Sequence, residues 1–141
     1  MYNTGSYTQY DIEYHIGWTT KYRYKVLKGN VAEILRKLIR QGCEARNITI
    51  IRGSIGKEHV HLLISSPSNI APSQIIQYLK GRSSKLLQGE FKELKRKYWG
   101  QYLWAPGYFC RTVGTVTEEM IKNYIENQKD GKYEETFKIL R

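Results

Sequence analysis

The sequence predicts an α+β protein: a ferredoxin-like β-α-β-β-α-β arrangement in which two helices cover one face of an antiparallel sheet and leave the other face free. Three observations predict it. Apolar and polar residues alternate with period two from Tyr10 to Trp18, apolar residues recur at helical spacing after Asn30 and again after Pro72, and a short aliphatic run, Val60 to Ile64, stands between the two helical stretches. A chain of 141 residues is long enough for one sizeable core and short for two, so residues 1–141 are expected to form a single domain.

Taken in order, residues 1–8 are polar and read as a loose tail. Tyr10, Ile12, Tyr14, Ile16 and Trp18 define the inner face of a first strand, with Asp11, Glu13 and His15 between them. It continues into Lys21-Tyr-Arg-Tyr-Lys25, where Lys21, Arg23 and Lys25 could meet phosphates while a tyrosine stacks on an unpaired base; a solvated basic strand end is the plainer reading. Asn30 can cap a helix carrying Val31, Ile34, Leu35, Leu38 and Ile39 on one side, ending near Asn47. Ile48–Ile51 predicts a second strand, Gly53–Lys57 a turn, and His59–Ser65 a third strand paired with it as a hairpin.

From Pro72 a second helix carries Ile75, Ile76, Leu79, Leu86 and Leu87. Its other side and the segment after it hold Lys80, Arg82, Lys85, Lys92, Lys95 and Arg96, a cluster that is either a solvated face or a nucleic-acid contact. An aromatic loop from Tyr98 to Gly107 precedes a fourth strand, Tyr108–Val113. Gly114 is a flexible joint, and a helix over 115–130 follows, with Thr115 or Thr117 to cap it, Glu118 and Glu119 at its positive end, and Met120, Ile121, Tyr124, Ile125 and Gln128 on one side. Gly131 stops that helix, and 132–141 is a tail with at most a further helical turn or two.

The bulk numbers narrow the function. Twenty-three Lys and Arg against 13 Asp and Glu give a net charge of +10, which favours a polyanionic partner, nucleic acid first. No apolar run of ~18 residues occurs and the N-terminus has no signal-peptide pattern, so a cytoplasmic protein without a membrane partner is expected. Cys43 and Cys110 are far apart and outside any C-x-x-C pair; both are expected to be reduced and structural.

His59 and His61 stand one residue apart in a strand, so both project from the same side, ~7 Å apart, while Val60, Leu62 and Ile64 project into the core. Two imidazoles so placed can share a metal ion, or can be hydrogen-bonded structural residues. If the last helix docks on the open face, the Gln128 amide oxygen can complete a metal site and Tyr124, four residues earlier, stands one turn from it.

These residues carry a resemblance. His59-Val-His61, the Asn123-Tyr-Ile-Glu-Asn-Gln128 helix, Trp18-Thr-Thr-Lys-Tyr-Arg23 and Leu103-Trp-Ala-Pro-Gly-Tyr-Phe109 ahead of Gly114 together resemble the small single-tyrosine HUH transposases of bacterial insertion sequences, the TnpA type, over nearly the whole chain. The resemblance implies that His59, His61 and Gln128 bind one divalent ion, Mg²⁺ or Mn²⁺. It implies Tyr124 as nucleophile, a 5′-phosphotyrosine link with a free 3′-hydroxyl, and single-stranded DNA with hairpin ends as substrate. It further implies a homodimer, with the tyrosine helix pivoting on a glycine joint that Gly114 fits.

Two other functions compete: a domesticated, repeat-associated tyrosine transposase of the same fold, and a nucleic-acid-binding module without catalysis, against which the intact His59, His61, Tyr124 and Gln128 argue. A phosphodiesterase with two histidine motifs would need a second such strand, and His15 lies in none.

Overall fold

The computed structural model describes residues 10–116, 118–127 and 136–140. The expected tail 1–8, Gln128 and the stop at Gly131 lie outside the described residues. Strand β1 (Asp11–Thr19) is followed by helix α1 (Gly29–Ala45), strands β2 (Thr49–Ile55) and β3 (His59–Pro67), and helices α2 (Pro72–Glu90) and α3 (Lys92–Lys97). Strand β4 (Phe109–Val116), helix α4 (Glu118–Asn127) and strand β5 (Phe137–Ile139) complete the chain. The sheet order is β4-β1-β3-β2-β5. Its first four strands form the expected split β-α-β sheet, with β1 antiparallel to both β3 and β4, and β2 antiparallel to β3.

The core follows the predicted alternation. Tyr14, Ile16 and Trp18 from β1 and Val60, Leu62 and Ile64 from β3 are buried together with Leu35 and Ile39 of α1 and Ile75, Ile76 and Leu79 of α2. Asn30 does not cap α1, which starts two residues earlier than such a cap implies, at Gly29 behind Lys28. At the start of α2 the Gln74 side chain accepts a hydrogen bond from the Ala71 amide at 3.2 Å, which satisfies one N-terminal donor. Tyr10, Leu86 and Met120, expected on inner faces, are exposed.

Two departures alter the architecture. The expected turn at Gly53–Lys57 is shorter, because Gly53, Ser54 and Ile55 continue β2 and pair with Leu62, His61 and Val60. The expected C-terminal tail over 132–141 contains β5, a fifth strand that pairs parallel with β2 through Gly53–Phe137, Ser54–Lys138 and Ile55–Ile139, so the sheet is mixed rather than purely antiparallel.

One side chain anchors β5. Phe137 is buried beside Gly53, where a β-carbon would lie 2.9 Å from its ring; the Arg40 guanidinium stands 5.6 Å from the ring centre, and Arg36 donates to the Phe137 carbonyl at 3.3 Å. Phe137→Ala should therefore cost about 3–5 kcal/mol. Thermal unfolding followed by circular dichroism should show a midpoint lower by roughly 10 °C; an unchanged midpoint would mean that β5 adds nothing to the fold.

Among the described residues, no helix is long and apolar enough to cross a membrane. Burial lifts the Cys43 thiol to a pKa of about 12, so it is neutral and inert, and Cys110 is likewise unpaired.

Candidate active site on the open sheet face

β3 turns His59 and His61 away from the core, as the alternation predicts, and β1 pairs Thr19 and Gly17 opposite them. Gly17 has no side chain to place there. A β-carbon would lie 3.0 Å from the Val60 carbonyl and 3.5 Å from the His61 ring, so glycine leaves the imidazole its space. Gly56 does the same for His59, whose ring occupies the position a β-carbon on residue 56 would take.

Each histidine has a neighbour that sets its state. The His59 Nδ1 lies 2.9 Å from the Glu58 carboxylate, which makes that nitrogen the donor and Nε2 the one left to meet a ligand. The same bond holds the Glu58 carboxyl below the usual carboxylate range. The His61 ring stacks on His15 of β1, with centres 5.3 Å apart and planes 8° from parallel, and meets Phe109 at 6.4 Å. Desolvation, reinforced by the charges His15 and His59 would carry, pushes the His61 pKa down, so at neutral pH this imidazole is uncharged. Two imidazoles on one face of a strand suit a divalent ion. Among the described residues no group of three His, Cys, Asp or Glu forms a metal cluster.

A pocket of about 610 Å³ opens over the pair and is lined by Arg23, His59, His61, Gly107, Tyr108 and Phe109. Its walls come from two unusual segments. In the 3₁₀ turn Lys21–Arg23, Tyr22 and Arg23 both adopt left-handed backbone, with φ of 61° and 53°, a conformation that costs energy for side chains other than glycine. That turn places Arg23 at the pocket and leaves Tyr22 two-thirds exposed. Tyr22 contacts Tyr24, Tyr24 contacts Tyr98, and the Lys97 ammonium lies 4.7 Å from the Tyr24 ring.

The other wall is the aromatic loop, which is sewn onto α2 by a polar stripe. The Lys80 ammonium donates to the carbonyls of Ala105 and Gly107 at 2.9 and 2.8 Å; Ser83 accepts from the Trp104 indole, Ser84 from the Leu103 amide, and Gln88 donates to the Gln101 carbonyl. Lys80 is thus buried and its pKa is lowered by desolvation. It fixes the pocket wall and does not offer its charge to a ligand. Lys80→Met should destabilise the fold by about 2–3 kcal/mol by leaving both carbonyls without a donor. Chemical denaturation should show this as a lower midpoint; equal midpoints would mean the loop holds itself.

The other expected DNA contacts are placed as follows. Arg82 donates to the Leu38 carbonyl and to Gln41, bridging α1 and α2. Lys21 reaches Gln101 at 3.5 Å. Lys25, Lys92 and Arg96 converge on a groove of about 750 Å³ that also holds Lys28, Lys97 and Phe91. Lys85 and Lys95 are exposed on their helices.

Tyr124 lies in α4, with its side chain outside the described residues, as is all of Gln128. Gly114 pairs with Glu13 inside β4, next to the register shift at Glu13 and Tyr14, and the strand runs on to Val116 before α4 begins at Glu118. Sequence reasoning gave no role at this site to His15, Glu58, Gly17 or Gly56. Glu58 had a usable signal, a carboxylate directly before the first histidine; the His15 stack depends on which strand pairs with which.

Residues 8–128 match the family profile described as "Transposase IS200 like". The chain is 37% identical over 121 residues to the ISDra2 transposase TnpA of Deinococcus radiodurans, covering 86% of each. It is 32% identical over 130 residues to the transposase for insertion sequence element IS200 of Salmonella typhimurium, covering 90% of this chain and 86% of that one. A crystal structure from Deinococcus radiodurans whose description names a transposase superposes with a TM-score of 0.71 at 34% identity, over 91% of this chain and 98% of the other. The structure of a REP-associated tyrosine transposase bound to a REP hairpin shares the fold, with a TM-score of 0.56 at 16% identity over 93% and 75% of the two chains.

Proposed function

Because the chain belongs to the IS200-like transposase family, we propose that it cleaves and rejoins single-stranded DNA at the ends of an insertion sequence, with Tyr124 as nucleophile. The observation that carries the reading is the paired His59 and His61 on the open face, inside a pocket that also holds Arg23. His59, His61 and the Gln128 amide would hold one Mg²⁺ or Mn²⁺, which when bound polarises the scissile phosphate.

The phenolic oxygen of Tyr124 attacks phosphorus as the bond to the 3′ oxygen breaks. The phenol loses a proton to solvent and the departing oxygen gains one. The product is a 5′-phosphotyrosine and a free 3′-hydroxyl. A phosphotyrosine diester keeps the linkage energy, so another 3′-hydroxyl reverses the step and seals a new junction without ATP. Arg23 faces the pocket and is suited to bind the phosphate in both directions.

The topology supports bringing the tyrosine helix to this face. β4 and β5 are opposite edges of the sheet, and α1 and α2 cover its other face, which leaves the open face available to α4. Gly114, near the end of β4, is the pivot in this reading. The free β4 edge is where a second copy would pair to give a homodimer, and the basic groove of Lys25, Lys92 and Arg96 suits the hairpin phosphates.

End-labelled, hairpin-bearing single-stranded DNA should give a denaturant-resistant protein–DNA adduct with Mg²⁺ or Mn²⁺ and none with chelator. Binding without any adduct on cognate ends would replace the reading with a non-catalytic module.

A further inference from the structure

A second pocket opens on the same sheet face, on the other side of His61 from Arg23. It has a volume of about 490 Å³ and is lined by His15, Arg52, Ser54, His61, Leu63 and Lys138. Ser54 and His61 line both pockets, so the two form one trough across the sheet. Register explains the grouping: Ser54 pairs with His61 on one side and Lys138 on the other, and Arg52 lies two residues from Ser54 on the same face of β2.

Among the described residues the trough has one sign of charge: Arg52 and Lys138 are exposed, neither makes an ion pair or hydrogen bond there, and no acidic side chain of those residues lines either pocket. Two such cations beside a hydroxyl form an anion site. β2 and β5 lie one and two strand spacings from β3, about 5 and 10 Å from the histidine strand. That is the reach of neighbouring phosphates on an extended single strand whose scissile phosphate sits at the histidines.

We propose that Arg52 and Lys138 bind the backbone phosphates of the nucleotides flanking the scissile bond, so that single-stranded DNA crosses the open face from the Arg23 pocket to the β2–β5 edge. The direction of that path rests on the functional reading above; the binding site itself is tested without catalysis. β5 thereby has a role beyond closing the sheet, since it supplies half of the site.

The test uses the full chain in chelator, with a fluorescent single-stranded oligonucleotide that forms no hairpin, and reads anisotropy across a salt series. The double variant R52A/K138A should bind about tenfold more weakly, and the slope of log affinity against log salt should shrink by about 1.4, two phosphate contacts at ~0.7 each. R52K/K138R should restore both, and affinity for a blunt hairpin stem should be unchanged. Equal affinity and slope for parent and R52A/K138A would overturn the proposal, as would a parent that does not bind the oligonucleotide or whose binding inorganic phosphate displaces equally well at matched phosphate concentration. Failure of the functional reading would look different: the parent would bind with the expected slope yet form no adduct with metal.

Discussion

His61→Ala should reduce strand cleavage by at least about a thousandfold, the scale on which a charge-stabilising group at a reacting centre acts, and leave the fold intact. The side chain is exposed on the open sheet face, and its neighbours are the rings of His15 and Phe109 rather than the core. Removing it leaves no buried cavity, so stability should change by no more than about 0.5 kcal/mol. Val60 and Leu62, on either side, are fully buried and would behave in the opposite way. Gel assays of cleavage alongside thermal melts of the same preparation separate the two effects. A variant that unfolds would show that His61 is a structural residue, and one that cleaves normally would remove it from the site.

The central sheet and the position of the histidines were legible because both depend on local alternation. Tyr14, Ile16 and Trp18, then Val60, Leu62 and Ile64, put one face of each strand in the core, and His59 and His61 must take the other. The β5 edge of the sheet was not legible. β5 is three residues long and has no period of its own; Phe137 is buried only because β2 presents Gly53 beside it, a partner some eighty residues away in the chain. Gly53 reads as a turn residue for the same reason, since nothing local says that its missing side chain is filled by a distant phenyl ring.

The polar stripe on α2 was hidden by a different cause. Lys80, Ser83, Ser84 and Gln88 look like a solvated helix face, and they are buried because the aromatic loop folds over them and uses their donors and acceptors. A basic residue count therefore overstated the surface charge at Lys80 and missed it at Arg52 and Lys138, which come to the site through strand pairing. His15 and His61 likewise meet only because β1 and β3 are neighbours in the sheet, a pairing that crosses the whole of α1 and β2 in sequence.

The account depends most on one hydroxyl. Tyr124→Phe removes a single oxygen from a helix residue, so duplex hairpin binding should match the parent and only the covalent step should be lost. With end-labelled hairpin DNA and Mn²⁺, the parent should give an adduct that survives denaturing electrophoresis, and the Phe variant should give none above background. An adduct undiminished in Tyr124→Phe would contradict the account, because some other residue would then be the nucleophile.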